Sequence, residues 1–233
     1  MFPLKDTIPS YRKPYVTLSI IVINIVVFIY ELNLPSGELL EFFYRFGIVP
    51  ARYTSAEFSM LMGLSRFNLF PFISAMFIHG GWSHIISNMW ALWLFGDNVE
   101  DILGHFGFAV FYVLSGLAAS LLHFLFSWNS QVPMLGASGA IAGVMGAYFV
   151  LFPHSRIITF IPLFFIPFLV EIPAVIYLGI WFITQFFNGT ISTLMRGNFG
   201  GVAWWAHIGG FLFGMNMWKR FLRDNRRRYI HFG

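Results

Sequence analysis

The sequence predicts an all-α membrane protein, a polytopic bundle of six transmembrane helices. Charge is the first observation: only 10% of the 233 residues are charged, against roughly 25% in a soluble globular domain. Hydrophobicity is the second: 58% of residues are hydrophobic, 30 are Phe and 8 are Trp, and mean hydropathy is +0.71. The third is that the apolar residues fall into six long stretches, and lipid offers an unpaired backbone few folds but the helix. Together these exclude a soluble protein, a disulfide-built secreted domain and a disordered chain. The absence of cysteine also removes thiolate nucleophiles and Cys-based metal sites.

The first stretch runs from Val16 to Tyr30 behind Lys5, Arg12 and Lys13. Glu31, Asn33 and Pro35 follow it in place of a small-residue cleavage site, so it reads as an uncleaved signal anchor. From Glu31 to about Asn68 the chain mixes charges with Phe42, Phe43, Tyr44 and Phe46. That segment is too apolar for a free loop and too interrupted to span, which predicts a structure lying in the membrane interface. The second span is placed at Ser83 to Leu103, the third at Phe106 to Phe126, and the fourth at Ser138 to Phe152. The apolar region from Ile157 to Phe187 is interrupted by Pro162, Pro167 and Pro173. The fifth span is therefore placed at Pro173 to Asn188, with Pro173 in its first turn, where a missing N–H costs nothing. The sixth runs from Val202 to Phe221. No internal repeat is visible, which disfavours a transporter of two matching halves. The chain reads as one membrane domain over residues 1–233, with a short segment 1–15, a six-helix core 16–221 and a basic tail 222–233.

Orientation follows from Lys and Arg. An even number of spans puts both termini on one side, with Lys5, Arg12, Lys13, Arg156, Lys219, Arg220, Arg223, Arg226, Arg227 and Arg228. Only Arg45, Arg52, Arg66 and Arg196 fall on the other. Both termini are expected in the cytoplasm. The basic tail beside a membrane helix reads as an anionic-lipid contact rather than a nucleic-acid patch.

Polar residues inside spans are costly and mark function. The fourth span has 15 residues, about 22 Å at 1.5 Å per residue, against about 30 Å of hydrocarbon. Its N-terminus should lie below the membrane surface, reached by a re-entrant segment from Gln131 to Ala137. Ser138 sits at that N-terminus inside Gly136-Ala137-Ser138-Gly139, beside amides that lack intrahelical partners and in the positive end of the helix dipole. A hydroxyl there can act as a nucleophile next to an oxyanion site. The candidate base is His207, which shares a helical face with Gly210 and Gly214. Gly139, Gly143 and Ala147 form a matching row of small residues, and such rows let membrane helices approach closely. In the second span His84 and Asn88 are four apart, so both project from one face as possible oxyanion donors. No carboxylate is placed to orient His207: Asp97, Glu100 and Asp101 cluster at the far end of the second span, and Glu171 precedes the fifth. A Ser–His dyad therefore fits better than a triad. His123 reads as a packing residue. Metalloprotease chemistry lacks an HExxH, an aspartyl mechanism lacks two buried aspartates, and no metal or cofactor is expected.

These residues resemble the rhomboid family of intramembrane serine proteases over nearly the whole chain. The resemblance rests on Gly136-Ala137-Ser138-Gly139, on His84 with Asn88, and on the His207, Gly210, Gly214 pattern. The Gly96, Glu100, Gly104 spacing looks like the family's structural turn. It implies Ser138 as nucleophile, His207 as general base, and His84 with Asn88 as oxyanion donors. It implies further that Trp181, Gln185 and Phe186 form a lateral gate for substrate helices. The 31–68 segment looks like the family's half-submerged first loop. Two departures stand out. Ala142 takes the place of an aromatic common four residues after the serine, and Arg45, Arg52 and Arg66 lack the preceding Trp of a first-loop Trp-Arg pair. The expectation is an endopeptidase that cleaves transmembrane segments of membrane proteins, seated in a bacterial plasma membrane. The competing reading is a non-catalytic relative that binds or chaperones transmembrane helices. Oligomeric state is not legible.

Overall fold

A computed structural model of the chain describes residues 2–163, 166–194 and 203–222. Arg196, Val202 and the basic tail beyond Leu222 lie outside the described residues. In chain order the helices are α1 (Tyr15–Leu32), α2 (Ser36–Phe46), α3 (Pro50–Thr54), α4 (Ala56–Leu61) and α5 (Pro71–Ser74). Then follow α6 (Trp82–Leu103), α7 (His105–Phe126), α8 (Ser138–Leu151), α9 (Ala174–Leu194) and α10 (Trp204–Met217). The six apolar stretches correspond to α1, α6, α7, α8, α9 and α10. Of these, α1, α7 and α9 are long and apolar enough by themselves to cross a membrane, and α8 is a shorter apolar helix.

Helix α8 is the axis of the bundle. Ten consecutive residues, Gly139 to Tyr148, are buried, as expected for a helix that is apolar on every side and enclosed by others. Helices α10, α7, α6 and α9 pack around it. Its glycines allow the close approach: a Cβ on Gly143 would collide with Ser115 of α7, and one on Gly146 with the Phe211 carbonyl of α10. The outward faces of α1 and α9 carry exposed Val22, Val26, Ile29, Ile176, Ile180 and Phe187, the side chains lipid would solvate.

The membrane bundle is all-α, but a three-stranded antiparallel sheet is added at one end. Its strands are β1 (Phe2–Asp6), β2 (Arg156–Leu163) and β3 (Ile166–Pro173), in the order β1-β2-β3. The region of Pro162, Pro167 and Pro173 is thus extended, and Pro173 closes β3 instead of sitting in the first turn of the fifth helix. The cause is local: Pro162 and Pro167 oppose each other near the hairpin end, a helix interior rejects both, and the intervening branched and aromatic residues favour strand. The N-terminal segment is strapped down as well. The Trp90 indole donates to the Pro3 carbonyl (2.6 Å), the Asn98 amide to that of Ile8 (3.0 Å), and the Tyr11 N–H to Asp101 (3.0 Å).

At the opposite end, residues 33–81 fold as α2 to α5 and a short 3-10 turn at Ala75–Phe77. Arg52 anchors this segment without a Trp neighbour. It is buried, and it donates to the carbonyls of Ser65 (2.8 Å) and Arg45 (3.1 Å).

Candidate active site

Ser138 is the first residue of α8, whose 14 residues span about 21 Å, less than the hydrocarbon core. The segment that delivers it is pinned from both sides. Met134 and Ile48 exchange backbone bonds (2.8 and 3.1 Å), and the Gly136 N–H donates to the Ala75 carbonyl (2.8 Å). The first i to i−4 bond of α8 runs from the Ile141 N–H to the Ala137 carbonyl. The amides of Ser138, Gly139 and Ala140 are therefore left without intrahelical acceptors.

His207 reaches this point from α10. A Cβ on Gly210 would collide with the Gly139 carbonyl, and one on Gly214 with the Gly143 carbonyl, so the two backbones touch where the small-residue rows meet. The imidazole Nε2 lies 2.8 Å from Ser138 Oγ. The other ring nitrogen is also engaged: Nδ1 lies 2.8 Å from Oε1 of Gln185 on α9. The partner of His207 on this side is an amide and not a carboxylate. Gln185, assigned to the gate, is buried and points inward.

His84 and Asn88, one turn apart on α6, converge on the residue that opens the serine motif. A Cβ on Gly136 would sit 2.5 Å from His84 Nε2 and 3.7 Å from Asn88 Nδ2. The positive φ of Gly136, +114°, excludes most side chains independently. Asn88 Nδ2 is buried with no hydrogen-bond partner among the described residues. A buried amide donor without a partner carries a desolvation cost, and such groups persist where a ligand or intermediate completes them. The arrangement can donate hydrogen bonds to a negative oxygen beside the Ser138 hydroxyl.

The model of the Rhomboid domain family matches residues 66–223, which hold Ser138, His207, His84, Asn88 and Gln185. The chain belongs to the rhomboid family. Among curated relatives it is 38% identical over 93 residues to the mitochondrial Rhomboid protein 1 of Saccharomyces cerevisiae, covering 38% of this chain and 27% of that protein. It is 34% identical over 99 residues to the chloroplastic Rhomboid-like protein 11 of Arabidopsis thaliana (40% and 35%). It is 29% identical over 148 residues to the human mitochondrial Presenilin-associated rhomboid-like protein (62% and 36%). The matched stretch thus spans roughly a quarter to a third of these relatives' lengths.

The Gly96, Glu100, Gly104 turn now has a physical account in this rhomboid. A Cβ on Gly96 would lie 2.9 Å from Thr17 Cγ2, so the glycine admits α1 against α6. The buried Glu100 carboxylate caps α1, accepting from the Val16 N–H (2.9 Å), the Thr17 N–H (2.8 Å) and the Thr17 hydroxyl (2.7 Å). His105 Nδ1 completes the set at 2.5 Å. Gly104, at φ +75°, turns the chain into α7.

The expected gate residues separate. Trp181 faces inward with Gln185, its ring centroid 5.7 Å from that of His207, whereas Phe186 faces outward and meets Trp205 edge-on at 6.2 Å. Trp181 and Trp204, the latter edge-on at 6.3 Å, pack His207 where Ala142, fully buried, cannot. An open-sided cavity of about 660 Å³ lies over the pair, lined by His84, Asn88, Ser138, Met145, Trp181 and His207 among others. Trp204 and His79 were not singled out from sequence. The His79 ring lies edge-on to His84 at 5.0 Å, and its backbone N–H donates to the buried Glu31 carboxylate (3.2 and 3.3 Å). Its five-residue spacing before His84 was the available signal. His123, read as a packing residue, has its Nδ1 buried without a partner among the described residues.

Proposed function

We propose that this rhomboid is an intramembrane serine endopeptidase that hydrolyses peptide bonds in or near transmembrane segments of membrane proteins. The observation that carries the reading is the 2.8 Å contact between Ser138 Oγ and His207 Nε2, beside the open amide donor of Asn88. Ser138 Oγ attacks the scissile carbonyl carbon while its proton passes to His207 Nε2. The carbonyl oxygen, now negative, is held by His84, Asn88 and the Ser138 N–H. His207 then gives the proton to the departing amine as the C–N bond breaks. Water entering through the cavity attacks the acyl ester with His207 again taking a proton, and Ser138 is restored. No metal or cofactor takes part.

The same reading treats residues 1–233 as a single domain of six spans, with α8 and α10 short because the site needs water above them. Both termini lie on the side rich in Lys and Arg. The mitochondrial and chloroplastic relatives point away from the bacterial plasma membrane expected from sequence, so the proposal keeps only a multi-pass membrane protein. Its partners are lipid and transmembrane substrates. Segments with helix-breaking residues are preferred, because a regular helix shields its carbonyls.

The test is cleavage of a single-span substrate in liposomes by wild type, Ser138→Ala and His207→Ala. Cleavage by wild type alone is expected. Equal cleavage by all three contradicts the dyad, and binding without cleavage by wild type favours the non-catalytic reading.

A further inference from the structure

We propose that Gln185 is a positioning residue of the reaction, holding His207 in the one tautomer that can take the Ser138 proton. The inference rests on the Ser138–His207 reading above and adds to it a third member, supplied by the helix that carries Trp181.

The argument is one of donors and acceptors. Gln185 Nε2 faces its own helix, donating to the Trp181 carbonyl (3.2 Å) and lying 3.4 Å from Thr184 Oγ1. Exchanging the two ends of the amide would set Oε1 against the Trp181 carbonyl oxygen, acceptor against acceptor. The orientation is therefore fixed, and Oε1 is the atom presented to His207 at 2.8 Å. An amide oxygen only accepts, so Nδ1 must carry the proton. In a neutral imidazole the other nitrogen is then bare, and that nitrogen is Nε2, 2.8 Å from Ser138 Oγ. In the alternative tautomer Nε2–H would donate to Oγ, and the hydroxyl would have no base. Which ring nitrogen acts is set by the bond the other one makes.

Burial supports the assignment. The buried residues of α9 are Ala174, Leu178, Gln185 and Gly189, so Gln185 is the polar member of an otherwise apolar or small inward stripe. The glycine one turn on packs against Trp204 and Trp205 of α10, which seats Gln185 beside His207. The lock therefore exists only while α9 is seated against α10. An amide brings no charge to the developing imidazolium, so Gln185 acts by orientation. The other ionisable groups acting on His207 are His84 of α6 and His123 of α7.

The test compares Gln185→Met, which keeps length and removes the acceptor, with Gln185→Glu, which keeps the acceptor and adds charge. Cleavage is measured with the full chain in liposomes across pH, alongside Ser138→Ala. The expected result is a fall in kcat of about ten-fold or more for Gln185→Met, with KM within about two-fold. Gln185→Glu should recover kcat, with the acidic limb of its profile moved to higher pH by the carboxylate beside the imidazolium. A rise in KM alone, or an increase in kcat for Gln185→Met, marks a gate residue and overturns the proposal. So does a Gln185→Glu profile superimposable on wild type. Full activity of Ser138→Ala overturns both readings, whereas an inactive Ser138→Ala beside a wild-type-like Gln185→Met overturns this one alone. If Gln185→Met does not fold, ring 15N shifts of His207 in the wild type decide: protonated Nδ1 with bare Nε2 upholds the proposal, and the reverse overturns it.

Discussion

His207 Nε2 meets Ser138 Oγ at 2.8 Å across 69 residues of sequence. One turn further along α10, a Cβ on Gly210 would collide with the Gly139 carbonyl. The reactive contact and the backbone contact are thus parts of one helix crossing, and the crossing exists because glycine stands on both sides.

Gly210→Ala should therefore cost both stability and activity. The methyl group has backbone in its way and nothing flexible to displace, so a loss of about 1–3 kcal/mol or more is expected. Thermal unfolding in detergent and a cleavage assay check it. Gly37→Ala, with open space around the added methyl, should leave both within error.

Asn88→Ala should separate function from stability. The Asn88 Nδ2 group is buried and unpartnered, so its removal relieves a cost and the unfolding midpoint should hold or rise. Loss of one oxyanion donor should lower kcat by about 10²–10³. Matched unfolding and kinetic measurements decide, and a fall in stability with kcat preserved contradicts the oxyanion role.

Glu100→Gln should do the opposite. Its carboxylate accepts four donors, and an amide nitrogen would face some of them. A destabilisation of about 3–5 kcal/mol is expected for breaking such a buried set. Glu100 lies 16 residues from His84 along α6, about 24 Å. The kcat of protein still folded at low temperature should therefore remain near wild type.

Asp6 gives a pH dependence with a definite sign. Burial lifts its carboxyl from 3.8 to about 6, partly offset by the Tyr148 hydroxyl, which donates to it at 2.5 Å. Between 3.8 and about 6 the folded protein holds this proton more often than the unfolded chain. The Asp6 contribution to stability is thus present at low pH and lost as pH rises through that window. Asp6→Asn should gain in unfolding midpoint over wild type above about pH 6 and lose that advantage near pH 4. An advantage independent of pH contradicts the assignment.

The helices were legible in sequence because runs of apolar residues bounded by charge and proline leave little choice of structure in lipid. Five begin within a residue of the expected start, though α9 continues to Leu194, and the expected start of the sixth at Val202 lies outside the described residues. Ser138, His207, His84 and Asn88 stood out for the same reason, as polar groups on an apolar background. The sheet was not legible. Prolines at 162, 167 and 173 excluded a helix, but pairing with Phe2–Asp6 joins segments some 150 residues apart, and neither strand encodes its partner. Gln185 was noticed, but its place beside His207 was not: Thr184, Asn188 and Thr190 are polar neighbours on α9, so polarity alone does not mark which face turns inward. Its four-residue spacing from Trp181 was the local signal that the two share a face of α9.

The most direct test of the central claim is covalent labelling of the wild-type protein in detergent with a fluorophosphonate, followed by peptide mapping. The account predicts a single modified site at Ser138, with labelling lost in His207→Ala although that protein remains folded. Undiminished labelling of Ser138 in His207→Ala, or no labelling of Ser138 in an active wild-type preparation, would contradict it.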